Sequence, residues 1–309
     1  MIMNIINIGS LNLDYVYRVD QFLLPGETKS SLSLDVNAGG KGLNQSIALA
    51  KAGCKVCHAG VYGAGGEMLV QTLEKFGVDT HLMQQRTDIQ NGHAIIQVAE
   101  SGQNCILLYG GSNQALTEDY IHQVINFCDV DDMILLQNEV NSIDLIIELA
   151  YEKNIPVVMN VAPMSPEVAN YDLSKLTWIV VNEIEAAALA GGDSVEETMN
   201  NLCTRYPNSG ILMTLGSDGA WLKKDDTDIR MNALKIENVV DTTAAGDTFL
   251  GYFLAAITRK TSMFEALQQA TCASAMAIQK VGAAQSIPDP ADLFAFWKEN
   301  KEKLVSQNS

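Results

Sequence analysis

The chain has no apolar run approaching the ~20 residues needed to cross a bilayer as a helix, which argues against a helical membrane protein. Its opening, Met1-Ile2-Met3-Asn4-Ile5-Ile6, lacks the basic start and cleavage region of a secretory signal, so the cytoplasm is the expected compartment. Positive charge is scarce: 20 Lys and Arg stand against 37 Asp and Glu, a formal net charge of −17. That balance disfavours nonspecific binding to nucleic acid or to an anionic membrane and leaves room only for a local basic funnel. No internal repeat or low-complexity linker interrupts the sequence. Its 309 residues can bury a substantial core, and one α/β domain over 1–309 is expected.

Metal-ligand spacing is missing as well. Of the six cysteines, Cys54 and Cys57 with His58 match the C-x-x-C-H pattern of haem attachment. That chemistry belongs to exported chains, and the residues lie in an apolar run, Lys55–Val61, that reads as a buried strand. The match is taken as coincidence. Cys105, Cys128, Cys203 and Cys272 are scattered among apolar segments and are expected to be buried small hydrophobes.

The glycine turns lack the features of the commonest nucleotide loops. In Asn37-Ala38-Gly39-Gly40-Lys41-Gly42-Leu43-Asn44-Gln45, Gly42 follows Lys41 where a P-loop needs Ser or Thr for magnesium. In Gly60–Met68, Met68 stands where a dinucleotide fingerprint ends in glycine. The first stretch is instead a turn opening a helix, where backbone can approach a small polar ligand and Lys41 and Asn44 offer donors to hydroxyls.

The stretch Asp241-Thr242-Thr243-Ala244-Ala245-Gly246-Asp247-Thr248-Phe249 carries the most chemistry. A helix-forming run follows it at once, and the first amides of a helix have no intrahelical partner and a partly positive dipole end. Ala244, Ala245 and Gly246 leave those amides open to a phosphoryl group. Asp247 in the first turn could then accept a proton from an attacking hydroxyl. Capping of the helix by Asp241 or Asp247 is the competing reading at this point.

Strand-like runs at Asn4–Ile8, Val56–Val61, Met133–Gln137, Val157–Asn160, Trp178–Val181 and Ile211–Thr214 alternate with helical patterns at Gly66–Phe76, Asp144–Glu152, Glu183–Ala190 and Val195–Arg205. Continuous apolarity implies strands buried on both faces, hence a mainly parallel sheet in an α/β sandwich. Residues 14–36 and 92–109 break the alternation with paired strand-like patterns, the second with a turn at Ser101-Gly102-Gln103-Asn104. Two hairpins at the edge of the main sheet would be the plainer arrangement for them.

The two glycine stretches together resemble the motifs of the PfkB carbohydrate kinases, and within them the ribokinase-like members. Gly9-Ser10-Leu11-Asn12-Leu13-Asp14, Pro25-Gly26-Glu27-Thr28, Gly282 and Ser286-Ile287-Pro288 extend the resemblance over nearly the whole chain. It implies a ribokinase-like three-layer α/β/α sandwich with a small β-sheet lid from about 14–36 and 92–109, and a homodimer clasped through the lids.

The same resemblance implies site residues. Asn12, Asp14, Gly40, Lys41, Asn44, Glu139 and Asp247 would hold the sugar. Asn182 would lie near the nucleotide phosphates and Glu185 would influence magnesium, in part through water. Thr214, Leu215, Gly216, Ser217, Asp218 and Gly219 would form the nucleotide loop with Gly246. Asp241, Thr243, Ala277, Lys280, Gly282 and Ser286 would ligate a potassium ion, largely through carbonyl oxygens. The implied reaction passes the γ-phosphoryl of Mg-ATP to a sugar hydroxyl, O5 of D-ribose, with Asp247 as base and the amides of Ala244 to Gly246 as anion hole.

Two departures bear on the sugar. Leu43 replaces a small residue and Ala38 an aromatic, and either could reshape the pocket rim, so deoxyribose or another small sugar is the alternative substrate. No arginine cluster suggests a second phosphate. A noncatalytic sugar sensor on the same fold is the alternative from another class. Intact Asp247, Gly246, Asn182 and Glu185 speak against it.

Overall fold

The computed structural model describes residues 4–304 apart from 102. In chain order the elements are β1 (Ile5–Ile8), β2 (Asn12–Val19), β3 (Ser33–Gly39), α1 (Lys41–Lys51), β4 (Val56–Ala59), β5 (Val61–Gly63), α2 (Glu67–Lys75), β6 (Gln84–Arg86), β7 (Gly92–Ala99), β8 (Asn104–Tyr109), α3 (Glu118–Phe127), β9 (Met133–Gln137), α4 (Ile143–Glu152), β10 (Val157–Asn160), β11 (Trp178–Asn182), α5 (Glu183–Ala190), α6 (Val195–Arg205), β12 (Gly210–Thr214), β13 (Ala220–Lys224), β14 (Thr227–Met231), α7 (Ala245–Thr258), α8 (Met263–Ala277) and α9 (Pro290–Asn300).

Successive side chains of a strand point to opposite faces, and here both faces are apolar. Ile5, Leu135, Val158, Val180 and Leu212 pack with residues of α1, α7 and α8 in one core. Their neighbours Ile6, Ile134, Val157, Ile179 and Ile211 pack with α3, α4, α5 and α6 in another. The result is a three-layer arrangement of helices on both sides of one sheet.

That sheet has eight strands in the order β14-β13-β12-β11-β10-β9-β1-β4. The stretch from β12 to β4 is parallel. β13 and β14 extend it antiparallel, as a meander from β12. The Val56–Val61 run, expected as one strand, divides at Gly60. β4 stays in the large sheet, whereas β5 pairs with β6 in a two-stranded ribbon.

A second, separate sheet of four strands has the order β3-β2-β7-β8. Two antiparallel hairpins, β2–β3 and β7–β8, are joined by parallel pairing of β2 with β7. The segments therefore leave the main sheet and do not form hairpins at its edge. Residue 102, within the expected Ser101–Asn104 turn, lies outside the described residues. Register places Asn12 beside both Gly39 and Gly92, so the base of this sheet meets the end of β1. Among the described residues no helix is long and apolar enough to cross a membrane.

Candidate active site

Because β1, β9, β11 and β12 are parallel, their carboxyl ends open on one edge of the sheet, where doubly wound folds bind ligands. Ser10 follows β1, Glu139 follows β9, Asn182 ends β11 and Thr214 ends β12. Chain direction alone thus gathers residues far apart in sequence.

On the β1 side the backbone comes unusually close. Gly40 caps α1 with φ 96°, a left-handed conformation that a side chain would strain. A Cβ on Gly42 would sit 2.3 Å from the Ser10 amide nitrogen, so only glycine lets α1 press against the turn after β1. Ser10 Oγ accepts from the Gly42 amide at 3.1 Å and donates to Glu139 Oε2, which also accepts from the Lys41 amide at 3.1 Å. Glu139, implied by the family resemblance, is thereby locked to the glycine turn.

Charges converge here. Burial works against the Lys41 ammonium, but the carboxylates of Asp247, Glu139 and Glu185 outweigh it and hold its pKa above the ordinary value. Burial pushes the Glu139 carboxyl up, with Lys41 opposing. Asp14, on β2, is pushed up to about 7 by burial and by the nearby Glu139. Asn12 is buried and its Oδ1 accepts from Asn113 Nδ2 at 2.8 Å.

Asp247 sits in the first turn of α7 and is almost fully buried. Its Oδ2 accepts from Asn44 Nδ2 at 3.1 Å and its Oδ1 from Gln45 Nε2 at 2.8 Å. The structure therefore joins the two glycine stretches, and Asp247 does not spend its carboxylate on capping its own helix. Ala244 takes the cap position with φ 58°, the left-handed region where alanine is strained and glycine is not. The Ala245 amide donates to the Thr242 carbonyl at 3.2 Å. A Cβ on Gly246 would meet nothing within 4 Å, so the space over this turn is open.

Asn182 and Glu185 form a capping box: the Glu185 amide donates to Asn182 Oδ1 and the Asn182 amide to Glu185 Oε2, each at 2.9 Å. The bland role of a helix start is real, and buried Glu185 nonetheless reaches the site through its charge on Lys41. Next to them lies a cleft of about 610 Å³ lined by Thr214, Gly216, Ser217 and Gly219 on one side and Thr242, Ala245, Gly246 and Phe249 on another. Of the expected nucleotide loop, Leu215 instead packs in the core and Asp218 lines a neighbouring cavity of about 730 Å³. The loop is also a tight turn, linking the antiparallel β12 and β13.

Of the expected cation ligands, the structure joins Asp241 to Thr243 and Gly282. Asp241 Oδ1 accepts from the Thr243 amide and Oδ2 from the Gly282 amide, both at 2.9 Å. The Val240 and Asp241 amides donate to the Ile278 carbonyl, which ties this loop to the end of α8. The Ala277 carbonyl accepts from the Lys280 amide, and Ser286 Oγ donates to Ala283. Ala277 and Ser286 are fully buried.

Some expectations are corrected. Leu43 is fully buried in the core beneath α1, because the helix turns that position toward the sheet, so it does not form a pocket rim. Cys105 is exposed, since β8 is the outer strand of the small sheet and every residue in it is exposed. Cys54 lies near Thr258 and Cys57 near His81, so the C-x-x-C-H residues share no site. Ser10, Asn113, Gln45 and Gln137 were not singled out. Gln45 carries a signal, standing beside Asn44 in the glycine stretch, whereas Asn113 carries none.

A buried carboxylate at a helix start beside an open cleft suits phosphoryl transfer, and the similarity to known proteins places the chain among sugar kinases. The family model described as pfkB family carbohydrate kinase matches residues 3–290, and the chain belongs to that family. It is 32% identical to the ribokinase of Haemophilus influenzae over 300 residues, covering 94% of this chain and 96% of that one. It is 28% identical to the deoxyribokinase of Salmonella typhimurium over 295 residues, 93% of this chain and 96% of that one. Among solved structures, Arabidopsis thaliana ribokinase complexed with ribose and ATP is similar with a TM-score of 0.87 at 27% identity, covering 96% and 99% of the two chains.

Proposed function

We propose that the protein phosphorylates D-ribose at O5 with Mg-ATP to give ribose 5-phosphate. The observation that carries this reading is the position of Asp247, fixed between Asn44 and Gln45 of α1 and the open turn of α7. Sugar held by Asn12, Asp14, Gly40, Lys41, Asn44 and Glu139 would present its terminal hydroxyl to Asp247. The base takes the proton as the oxygen attacks phosphorus, and the Lys41 ammonium and the amides of this turn other than that of Ala245, which is bonded to Thr242, balance charge on the transferring group. A positioned general base typically contributes about 10²–10⁴-fold.

Glu185 would help hold magnesium, which would supply charge neutralisation for the phosphates. The Asp241–Thr243 loop, tied to Gly282 and to the end of α8 at Ile278, would with Ala277, Lys280 and Ser286 offer oxygen donors that suit potassium and would steady the anion turn. The four-stranded sheet, whose base meets the end of β1, would act as a lid that keeps water from the phosphoryl donor. Its exposed Leu34, Ile106, Leu107 and Leu108 favour a homodimer through the lids.

The resemblance to a deoxyribokinase keeps deoxyribose as the second substrate reading. ADP release from Mg-ATP is to be measured across ribose, deoxyribose, arabinose, xylose, fructose and nucleosides, in potassium and in sodium, with product mass confirmed. Ribose preference with faster turnover in potassium is expected. Preference for deoxyribose would move the substrate, and sugar binding without turnover would favour the sensor.

A further inference from the structure

A row of amide side chains runs behind the base, where nothing in the reaction calls for it. Asn7, Gln45, Ser46, His58 and Gln137 are all at 0% exposure. Burying amides is costly unless each finds a partner, and apolar residues would fill the space more cheaply. The row ends on Asp247. We propose that Gln45 and Gln137 are positioning residues for phosphoryl transfer, forming with Asn7 a polarised amide relay that holds an N–H donor against Oδ1 of Asp247. The inference rests on the reading of Asp247 as base.

The polarity follows from one backbone oxygen. Asn7 Nδ2 donates to the Gly42 carbonyl at 2.8 Å and to Ser46 Oγ at 2.8 Å. A carbonyl only accepts, so Asn7 cannot be turned over, and its Oδ1 must face the other way. There it accepts from Gln137 Nε2 at 2.9 Å, and the same nitrogen donates to Gln45 Oε1 at 2.8 Å. With its oxygen taken, Gln45 has only Nε2 to offer Asp247, which it meets at 2.8 Å. A flip at any member would set like atoms against each other.

Gly42, Asn44 and Gln45 all lie on α1. The turn proposed to bind sugar and both donors to the Asp247 carboxylate are therefore one rigid piece, and the relay fixes the plane of the carboxylate relative to the bound hydroxyl. Orientation of this kind contributes to the transition state more than to ground-state binding.

The test is a pair of cycles of sugar-dependent ADP release. Gln45→Met keeps the length of the side chain and deletes its amide. Its kcat is expected to fall about 10–100-fold, the scale of a hydrogen bond to a charged group, with KM for sugar and Mg-ATP within about threefold. In an Asp247→Asn background the same substitution should change the residual rate less than about twofold, because the carboxylate it serves is gone. A role confined to packing would slow both backgrounds alike. Gln137→Met carries the same test one step back, with the same split, should Gln45→Met fail to fold. No sugar turnover by the wild type, or near-normal turnover by Asp247→Asn, would overturn the reading of Asp247 itself. An active wild type with a crippled Asp247→Asn, but equal losses in both backgrounds or none, would overturn the relay alone.

Discussion

Asp14 offers a prediction in which function and stability pull apart. Its carboxyl, ordinarily near 3.8, is raised to about 7 by burial and by Glu139. Between those values the folded state holds a proton that the unfolded chain has released, so the folded state binds more protons and stability falls as pH rises. Asp14→Asn removes this dependence. At about 1.36 kcal/mol per unit, the full shift of about 3 units is worth about 4 kcal/mol above pH ~7, and the part lying between pH ~5 and ~8 is about 2.5 kcal/mol. Urea denaturation of both proteins without sugar, at steps across that range, should show the variant gaining on the wild type by about this amount. His58, held neutral with its pKa lowered to about 4 by burial, imposes a slope of the opposite sign at acid pH. It is present in both proteins and cancels in the difference. A gap that stays constant with pH would refute the placement of Asp14 as a half-buried carboxyl beside Glu139.

Three further substitutions test separate parts. Gly246→Ala adds a methyl with no neighbour within 4 Å, in a helical turn where alanine is favoured by about 0.5–1 kcal/mol. Its melting temperature should hold or rise while turnover falls about 10²-fold, as when a donor to a developing anion is lost; unchanged turnover would remove the phosphoryl group from this turn. Ala244→Gly relieves the left-handed backbone at φ 58° and should stabilise by about 0.5–1 kcal/mol after the entropy of glycine is subtracted, as read from urea denaturation. Leu107→Lys places a charge on a residue of the small sheet that is 68% exposed. Sedimentation should find a dimer in the wild type and a monomer in the variant, and equal masses would refute the lid contact.

The central strands were legible because each is a continuous apolar run, and Met133–Gln137 and Val157–Asn160 fall where expected. The break at Gly60 was hidden, since apolarity continues across it. The hairpin patterns at 14–36 and 92–109 were visible, but the parallel pairing of β2 with β7 has no local signature. Register between distant segments is a tertiary property.

Legibility of the site followed the same rule. Residues in turns at strand ends and helix starts stood out through glycine and charge, which is why Asp247, Lys41 and Asn44 could be named. Leu43 was misplaced because a motif gives the order of residues without saying which way α1 faces. Gln45 and Asp247 lie 202 positions apart, and Asn7 within β1 and Gln137 at the end of β9 pass as isolated polar residues of apolar strands. Yet an amide among residues as apolar as Ile5, Ile6, Leu135 and Leu136 carries a cost that only a defined partner removes. The polar exceptions in the central strands therefore mark positions answering to the site beyond the strand ends, and here Asn7 and Gln137 reach one carboxylate through Gln45.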